Sequence, residues 1–411
     1  MSDAPPFVCF QFFAHHSYRL CPYDFFQIGE PQAPYFDLPA TRQALDALCE
    51  TSYLPALDLF TRLHACTEGR FSAGLGISST LIQQLRDWRP DVLRGFQEVV
   101  ALGALHPTGG LGTDSLVSVY SSSETSRQIL SHKLAIEATF GVTPTVFANT
   151  ALLYRDDLAP MVRSYGYDTI LAEGIPDYLG YRSSSYLYHS SADPELAVLL
   201  RHQQLSEDLR FRFSDPTWNQ FPLTAQRMVE WMLADPAPVR NLFLDLETLG
   251  GHQPADTGIF FFLDHLVTEG TEAGLRFCAP DVVRASLSPC EGYSSPKHSS
   301  WADEEKNKST WQENVMQQEA SQKLFRLQQI VESSNCPVLF ENWTNLQSAD
   351  HFLHMSTKGG ATGEAHDRFR AHSDPYDAYS YFMNILADLQ IRAKIKMAQH
   401  LLKDSAQLLN L

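Results

Sequence analysis

Basic side chains are scarce in this 411-residue chain: 31 Lys and Arg stand against 48 Asp and Glu, a formal net charge of -17. An acidic surface repels phosphate backbones, so no nucleic-acid partner is expected. A neutral polymer such as a glucan is compatible with that charge. Paired cysteine chemistry is also missing. The seven cysteines (Cys9, Cys21, Cys49, Cys66, Cys278, Cys290 and Cys336) are an odd number, and none forms a C-x-x-C pair. Neither a disulfide framework nor a zinc knuckle is indicated, and a reducing cytoplasm is the expected compartment. No apolar run approaches the ~20 residues that span a bilayer, so no membrane segment is expected. No basic residue precedes the first short apolar run, so no secretory signal is expected. Repeats at solenoid periods and low-complexity tracts are absent.

What is present is a globular composition, with 44% hydrophobic and 19% charged residues. Short apolar runs end repeatedly at polar residues. Phe7 to Phe13 stops at His15-His16, Thr145 to Phe147 runs into Asn149, Thr169 to Ala172 ends at Glu173, and Leu242 to Leu244 ends at Asp245. Such runs read as buried strands with functional groups at their C-terminal ends. Helix-period stretches lie between them, at Thr125 to Phe140 and Asp156 to Tyr165. Alternation of this kind predicts a parallel α/β sheet or barrel, and pattern alone does not choose between them. Beyond about residue 270 the character changes. Trp311 to Ser333 and Tyr376 to Leu409 read as long amphipathic helices, and Glu291 to Ser309 as a surface loop.

The densest cluster of candidate chemistry is Asp245-Leu246-Glu247-Thr248-Leu249-Gly250-Gly251-His252. Strand alternation puts Asp245 and Glu247 on one side, and two carboxylates with a nearby His could supply a general acid. An N-cap or a solvated pair is the bland alternative. His15 and His16 follow a strand, but adjacent strand residues point opposite ways, so the two are not expected to share an ion. With His252 they make no aspartate-plus-two-histidine set. No metal and no cofactor is expected. Trp218, Trp311, Trp343, Tyr181 and Tyr186 could stack on sugar rings, with helix packing as the competing reading for Trp311 and Trp343. Phe260 to Phe262 reads as a helix face packed on the sheet, and Cys9 as a buried apolar residue.

The stretch LFLDLETLGGHQPADTGIF resembles the fourth signature of the α-amylase branch of glycoside hydrolase family 57. Other blocks follow in the family's order: HHSYRL (His15 to Leu20), TVFANTALLY (Thr145 to Tyr154), YGYDTILAEG (Tyr165 to Gly174), LRHQQLSEDLRFRFSDPTWNQFPLTA (Leu200 to Ala225) and WADEEKNKSTWQENVMQQEA (Trp301 to Ala320). NLQSADHFLHMSTKG (Asn345 to Gly359) and DPYDAYSYFMNILADLQ (Asp374 to Gln390) resemble the family's C-terminal end. The resemblance covers nearly the whole chain. It implies an incomplete (β/α)7 TIM-like barrel over residues 1–270, then a C-terminal helical region over 271–411 that packs on the barrel and closes the cleft.

The resemblance also implies roles. The family's general acid/base aspartate falls on Asp245. His15, Arg19, Glu173, Tyr181, Arg182, Asp215, Trp218, Glu247, His252, Asp350 and His351 are implied to line the sugar-binding cleft. The implied ligand is an α-glucan or maltooligosaccharide. Two departures matter. After Asn149-Thr150 the family carries a glutamate nucleophile, and this chain has Ala151. In the second signature Asp114 stands where a histidine is expected. A retaining glycosidase needs two carboxyl groups roughly 5 to 5.5 Å apart, one to attack and one to protonate. A methyl group cannot attack an anomeric carbon. The expectation is an amylase-like protein that binds glucan with little or no hydrolysis. The alternative is an active hydrolase or transglycosylase using Asp245 with Glu173, Asp114 or a water molecule.

Overall fold

The structure is a computed structural model and describes residues 6–358 and 374–409. Its contacts divide the chain into two compact units. The first comprises 1–16, 43–112 and 126–307, the second 17–42, 113–125 and 308–411. The expected single cut after residue 270 is not where the contacts divide. Arg276–Cys278 is a strand paired with the first strand of the chain, so the first unit keeps this segment.

Among the described residues the first unit carries ten strands: β1 Phe7–Ala14, β2 Ala73–Ile77, β3 Leu105–Thr108, β4 Val146–Ala148, β5 Thr169–Glu173, β6 Leu187–Ser190, β7 Ala197–Arg201, β8 Val239–Asp245, β9 Arg276–Cys278 and β10 Gly292–Tyr293. One sheet runs β3-β2-β1-β8, with β9 also on β1; the other runs β10-β6-β7-β5-β4. Two junctions join them. Gly109 bridges Phe147 in parallel, with Ala148 N donating to Gly109 O at 2.9 Å. At the other side His202 N donates to Asn241 O, and the Asn241 side chain to Leu200 O, both at 2.8 Å. The result is a ring of seven parallel strands, β8-β1-β2-β3-β4-β5-β7, which is the expected incomplete (β/α)7 barrel. Beside the ring, β6 runs antiparallel to β7, and β10 lies parallel to β6.

The strands form because both of their faces are buried. Along β1, Val8, Phe10, Phe12 and Ala14 join the layer made with the surrounding helices. Phe7 and Cys9 instead meet Val146, Leu171, Leu199, Val239 and Phe243, which come from across the ring. That second cluster is the barrel interior, and it explains why the strands are continuous apolar runs. The helices between strands start at readable signals: Ser78 and Thr224 cap Ser79–Trp88 and Ala225–Ala234, and Pro90 and Pro280 stand at first turns. Phe260 to Phe262 lies in the helix Ile259–Glu272, where Phe262 is buried and Phe261 is 69% exposed, so the run is not wholly a packed face.

The second unit is mostly helical. The stretch 311–333 is not one helix: a short turn Lys308–Trp311 precedes Val315–Arg326, which Asn314 and Gln317 cap reciprocally, and Gln328–Ser333 follows. The long C-terminal helix, Pro375–Leu409, agrees with the periodicity. It buries Phe382, Ile385, Leu386 and Leu389, and its Asp388 accepts from Gly29 N and Tyr35 OH, both at 2.6 Å. Trp343 is fully buried and donates from Nε1 to Leu324 O at 2.9 Å. Trp311 is buried as well, so packing accounts for both tryptophans.

Candidate functional site

Strand parity selects the side chains at the barrel mouth. Residues two apart on a strand share a face. Val239 and Phe243 belong to the interior cluster, so Asp245 continues that face at the end of β8. The same count leads from Leu171 to Glu173 on β5, from Leu199 to Arg201 on β7, and from Cys9 to Phe13 on β1, with His15 just past the end of that strand. Glu173 and Arg201 are also direct cross-strand neighbours.

Around Asp245, Arg210 approaches to 2.5 Å at Oδ2, and His252 Nε2 lies 3.8 Å from the same oxygen. Glu247 does not continue the strand, because Leu246–Thr248 is a tight helical turn. It still stays near Asp245 and accepts a hydrogen bond from Tyr53 OH at 2.6 Å. Enclosure by the protein, and then the Asp245 charge, push the Glu247 carboxyl up to about 8. Near neutral pH this favours the protonated form of Glu247, beside the Asp245–Arg210 pair. Two π turns set this geometry. Cys49–Tyr53 carries Tyr53, and Asp208–Arg212 carries Arg210. Such single turns place one extra residue in a helix and re-aim side chains. The loop after β8 is pinned to both: Ser52 Oγ donates to Leu246 O at 3.2 Å, and Gln253 Nε2 to Arg210 O at 2.9 Å.

The second cluster centres on Glu173, which is fully buried. Burial holds its carboxyl above the usual carboxylate range, against the opposing pull of Arg201 and Lys306. Arg201 lies 3.4 Å away and Lys306 3.9 Å away, and Lys306 donates to Glu207 at 2.9 Å. Trp301 joins the two clusters. The guanidinium carbons of Arg201 and Arg210 lie 5.2 and 5.7 Å from its ring centre, and Phe13 meets it edge-on at 5.2 Å. The stretch 291–309 is thus not a surface loop. Tyr293, Ser295, Ser299 and Ser300 are buried in it, because β10 extends the second sheet and the following turns line the mouth.

Ala151 lies just beyond β4, at the same end of the barrel. Its carbonyl accepts from Ser300 Oγ at 2.9 Å and from Trp301 N at 3.2 Å. Both Ala151 (φ 45°) and Leu152 (φ 56°) are left-handed. His15 Nδ1 lies 2.8 Å from Ser78 Oγ, and His16 Nδ1 2.8 Å from Gln84 Oε1, so the two rings have different partners.

The remaining sequence candidates scatter. Arg182 donates to the carbonyls of Tyr178, Leu179 and Gly292, and Tyr181 is 96% exposed beside it. Asp215 accepts from Thr217 N and Oγ1 in its own turn. Trp218 packs on the hydrophobic layer and meets Trp231 at 6.5 Å. Arg19, Asp114, Asp350 and His351 belong to the second unit. There Asp350 and His351 lie in the helix Ala349–Leu353, and Asp114 O accepts from Ala349 N at 3.0 Å. Sequence reasoning missed Tyr53, Arg201, Glu207, Arg210, Trp301 and Lys306. Arg201 carried a usable signal, since it ends the apolar run Ala197–Leu200 as Glu173 and Asp245 end theirs. Among the described residues no group of three or more His, Cys, Asp or Glu is arranged to hold a metal ion.

Comparison with known proteins agrees with this architecture. The sequence model described as Glycosyl hydrolase family 57 matches residues 10–289. A Methanocaldococcus jannaschii protein named "Putative alpha-amylase" is 29% identical over 377 residues, covering 89% of this chain and 80% of that protein. Among solved structures, a family 57-type branching enzyme from Pyrococcus horikoshii superposes with a TM-score of 0.67 at 12% identity, over 96% of this chain and 88% of that one. The 4-alpha-glucanotransferase of Thermococcus litoralis gives 0.63 at 12% identity over 85% of this chain, which spans only 56% of that longer protein. At such identities the structural likeness speaks for the fold alone.

Proposed function

This chain belongs to glycosyl hydrolase family 57, and from that premise we propose that it binds α-glucan or maltooligosaccharide with little or no hydrolysis. One observation supports the reading: Ala151 lies just beyond β4 at the barrel mouth, and the sequence resemblance puts the family's nucleophile at that position. Asp245, on β8, keeps the general-acid position. Without the second carboxylate no glycosyl-enzyme forms, and loss of one member of a cooperating catalytic pair costs orders of magnitude in rate.

Glu173 is a poor substitute nucleophile. It is fully buried, and Arg201 and Lys306 hold it. Hydrolysis through Asp245 and a water, which would invert the anomeric centre, is the second reading and sets the control. The compartment we assign is the cytoplasm, on the odd, unpaired cysteine set; all seven are free thiols. No helix among the described residues is long and apolar enough to cross a membrane.

The test is calorimetry and product chromatography with maltoheptaose, on the wild type, Ala151→Glu and Asp245→Asn. Binding without turnover in the wild type, with any hydrolysis gained by Ala151→Glu, is the expected result. Wild-type turnover that disappears in Asp245→Asn would overturn it.

A further inference from the structure

Asp245 stands in the general-acid position, yet its nearest charged neighbour opposes that task. Arg210 Nη2 lies 2.5 Å from Asp245 Oδ2, and His252 Nε2 lies 3.8 Å from the same oxygen. A guanidinium keeps its charge at every pH at which a protein stays folded, so it has no proton to give. A proton placed on Oδ2 would face the guanidinium's own N–H hydrogens. That oxygen therefore serves the ion pair and not a leaving group.

Arg210 is not a loose surface arginine that a ligand could push aside. Its side chain is 10% exposed, whereas that of Arg212, two residues on, is 42% exposed and pairs with Asp208. The π turn Asp208–Arg212 carries it, and Gln253 Nε2 donates to its carbonyl at 2.9 Å. Its guanidinium carbon lies 4.8 Å from the ring centre of Phe211 and 5.7 Å from that of Trp301. Its Nε is buried with no hydrogen-bond partner. The cation is thus largely desolvated, and the Asp245 charge compensates it. Swinging it away from Asp245 would leave an enclosed cation unpaired, which is costly.

We propose that Arg210 is a positioning residue that withholds Asp245 from proton donation, a second block on glycosidic cleavage that is separate from Ala151. The proposal rests on the α-glucan reading above. Chemistry separates the two blocks. When a nucleophile attacks the anomeric carbon, the bond to the departing oxygen breaks and its electron pair stays on that oxygen. A sugar alkoxide leaves only if a proton reaches it as the bond breaks, whereas 4-nitrophenolate is stable as the anion and leaves without one. A missing nucleophile stops both departures, and a withheld proton stops only the sugar.

The experiment compares nitrophenolate release from 4-nitrophenyl α-maltoside with cleavage of maltoheptaose. It uses the full chain as wild type, Ala151→Glu, Arg210→Met and the double variant, each checked by thermal melting. The wild type and Arg210→Met are expected to cleave neither. Ala151→Glu should release nitrophenolate but cleave maltoheptaose slowly. Adding Arg210→Met should raise the maltoheptaose rate at least about tenfold, within the roughly 100- to 10,000-fold that a general acid contributes, and change nitrophenolate release by less than about twofold. A merely structural role for Arg210 would lower both rates together. If Ala151→Glu does not fold, azide supplies the nucleophile to the wild type and Arg210→Met. Glycosyl azide should then form from the nitrophenyl maltoside in both proteins, and from maltoheptaose in Arg210→Met alone. If maltoheptaose is cleaved as readily with Arg210 in place, or if Arg210→Met brings no selective gain, the Arg210 block is wrong and the missing-nucleophile reading stands. If neither the added carboxylate nor azide releases nitrophenolate, or if the wild type itself turns over maltoheptaose, both fall.

Discussion

Glu247 is the residue whose environment makes the sharpest claim. Its carboxyl is pushed up to about 8 in the folded chain, against an ordinary value near 4.5. The folded state therefore holds a proton that the unfolded state has released between those values. Stability from this group is fully present below about 4.5 and is lost as pH rises towards about 8. Denaturant titrations across that window should show the decline, and Glu247→Gln should flatten it. Ala151 supports a second prediction. A non-glycine residue at φ 45° carries a left-handed penalty of roughly 1 to 2 kcal/mol. Ala151→Gly should leave the unfolding free energy unchanged or raise it by up to about 1 kcal/mol, offset by the extra entropy of glycine in the unfolded chain. A loss above about 1 kcal/mol would show that the methyl group packs usefully.

At the scale of elements, the site depends on turns that press against one another. The loop after β8 and the π turn Cys49–Tyr53 meet at Gly250, which has φ 93°. A Cβ there would lie 1.8 Å from Thr51 O, so backbone would have to move. Gly250→Ala should cost more than about 2 kcal/mol, from positive-φ strain together with the clash, and should weaken the Tyr53–Glu247 contact. Hydrogen exchange at 245–253 would report the loosened loop. β5 and β7 are joined by a buried charge pair, Glu173 and Arg201. Removing Arg201 alone leaves a buried carboxylate with weaker compensation, which typically costs about 3 to 5 kcal/mol. Arg201→Met should be severely destabilised, and adding Glu173→Gln should recover much of the loss. Equal destabilisation of the single and double variants would mean that the packing of Arg201 on Trp301 outweighs its charge.

At the scale of the molecule the dominant quantity is the net charge of -17. A glucan is neutral, so long-range electrostatics should contribute little to its capture. Maltoheptaose affinity should change by less than about twofold between roughly 0.05 and 0.5 M salt, a range over which screening removes most surface electrostatics. Duplex DNA should not be retarded at about 0.1 M salt. A steep salt dependence of sugar binding would point to a charged ligand instead.

The strands were legible because their signal is local, whereas the choice of a barrel over an open sheet came from the family resemblance. Apolar runs of β1, β4, β5 and β8 announce strands buried on both faces, and their polar ends announce the mouth. Asp245, Glu173 and His15 were read by that rule, and Arg201 obeys it too. The sequence could not reveal which side chains meet there. Tyr53 and Glu247 are 194 residues apart. Arg210 reaches Asp245 from a π turn, which periodicity does not mark. The seryl, charged stretch 291–309 read as solvated, yet it threads Trp301 between two arginines, because neighbouring strands supply the partners its polar groups need. Composition and strand pattern thus determined by themselves that this is an acidic α/β chain with carboxylates at its strand ends, and the signature blocks added the family. The tertiary structure decided the pairing of those carboxylates with Arg210, Arg201, Lys306 and Tyr53. Period and propensity are properties of neighbours in the chain, whereas the protonation and orientation of a carboxyl group are set by whatever the fold brings against it.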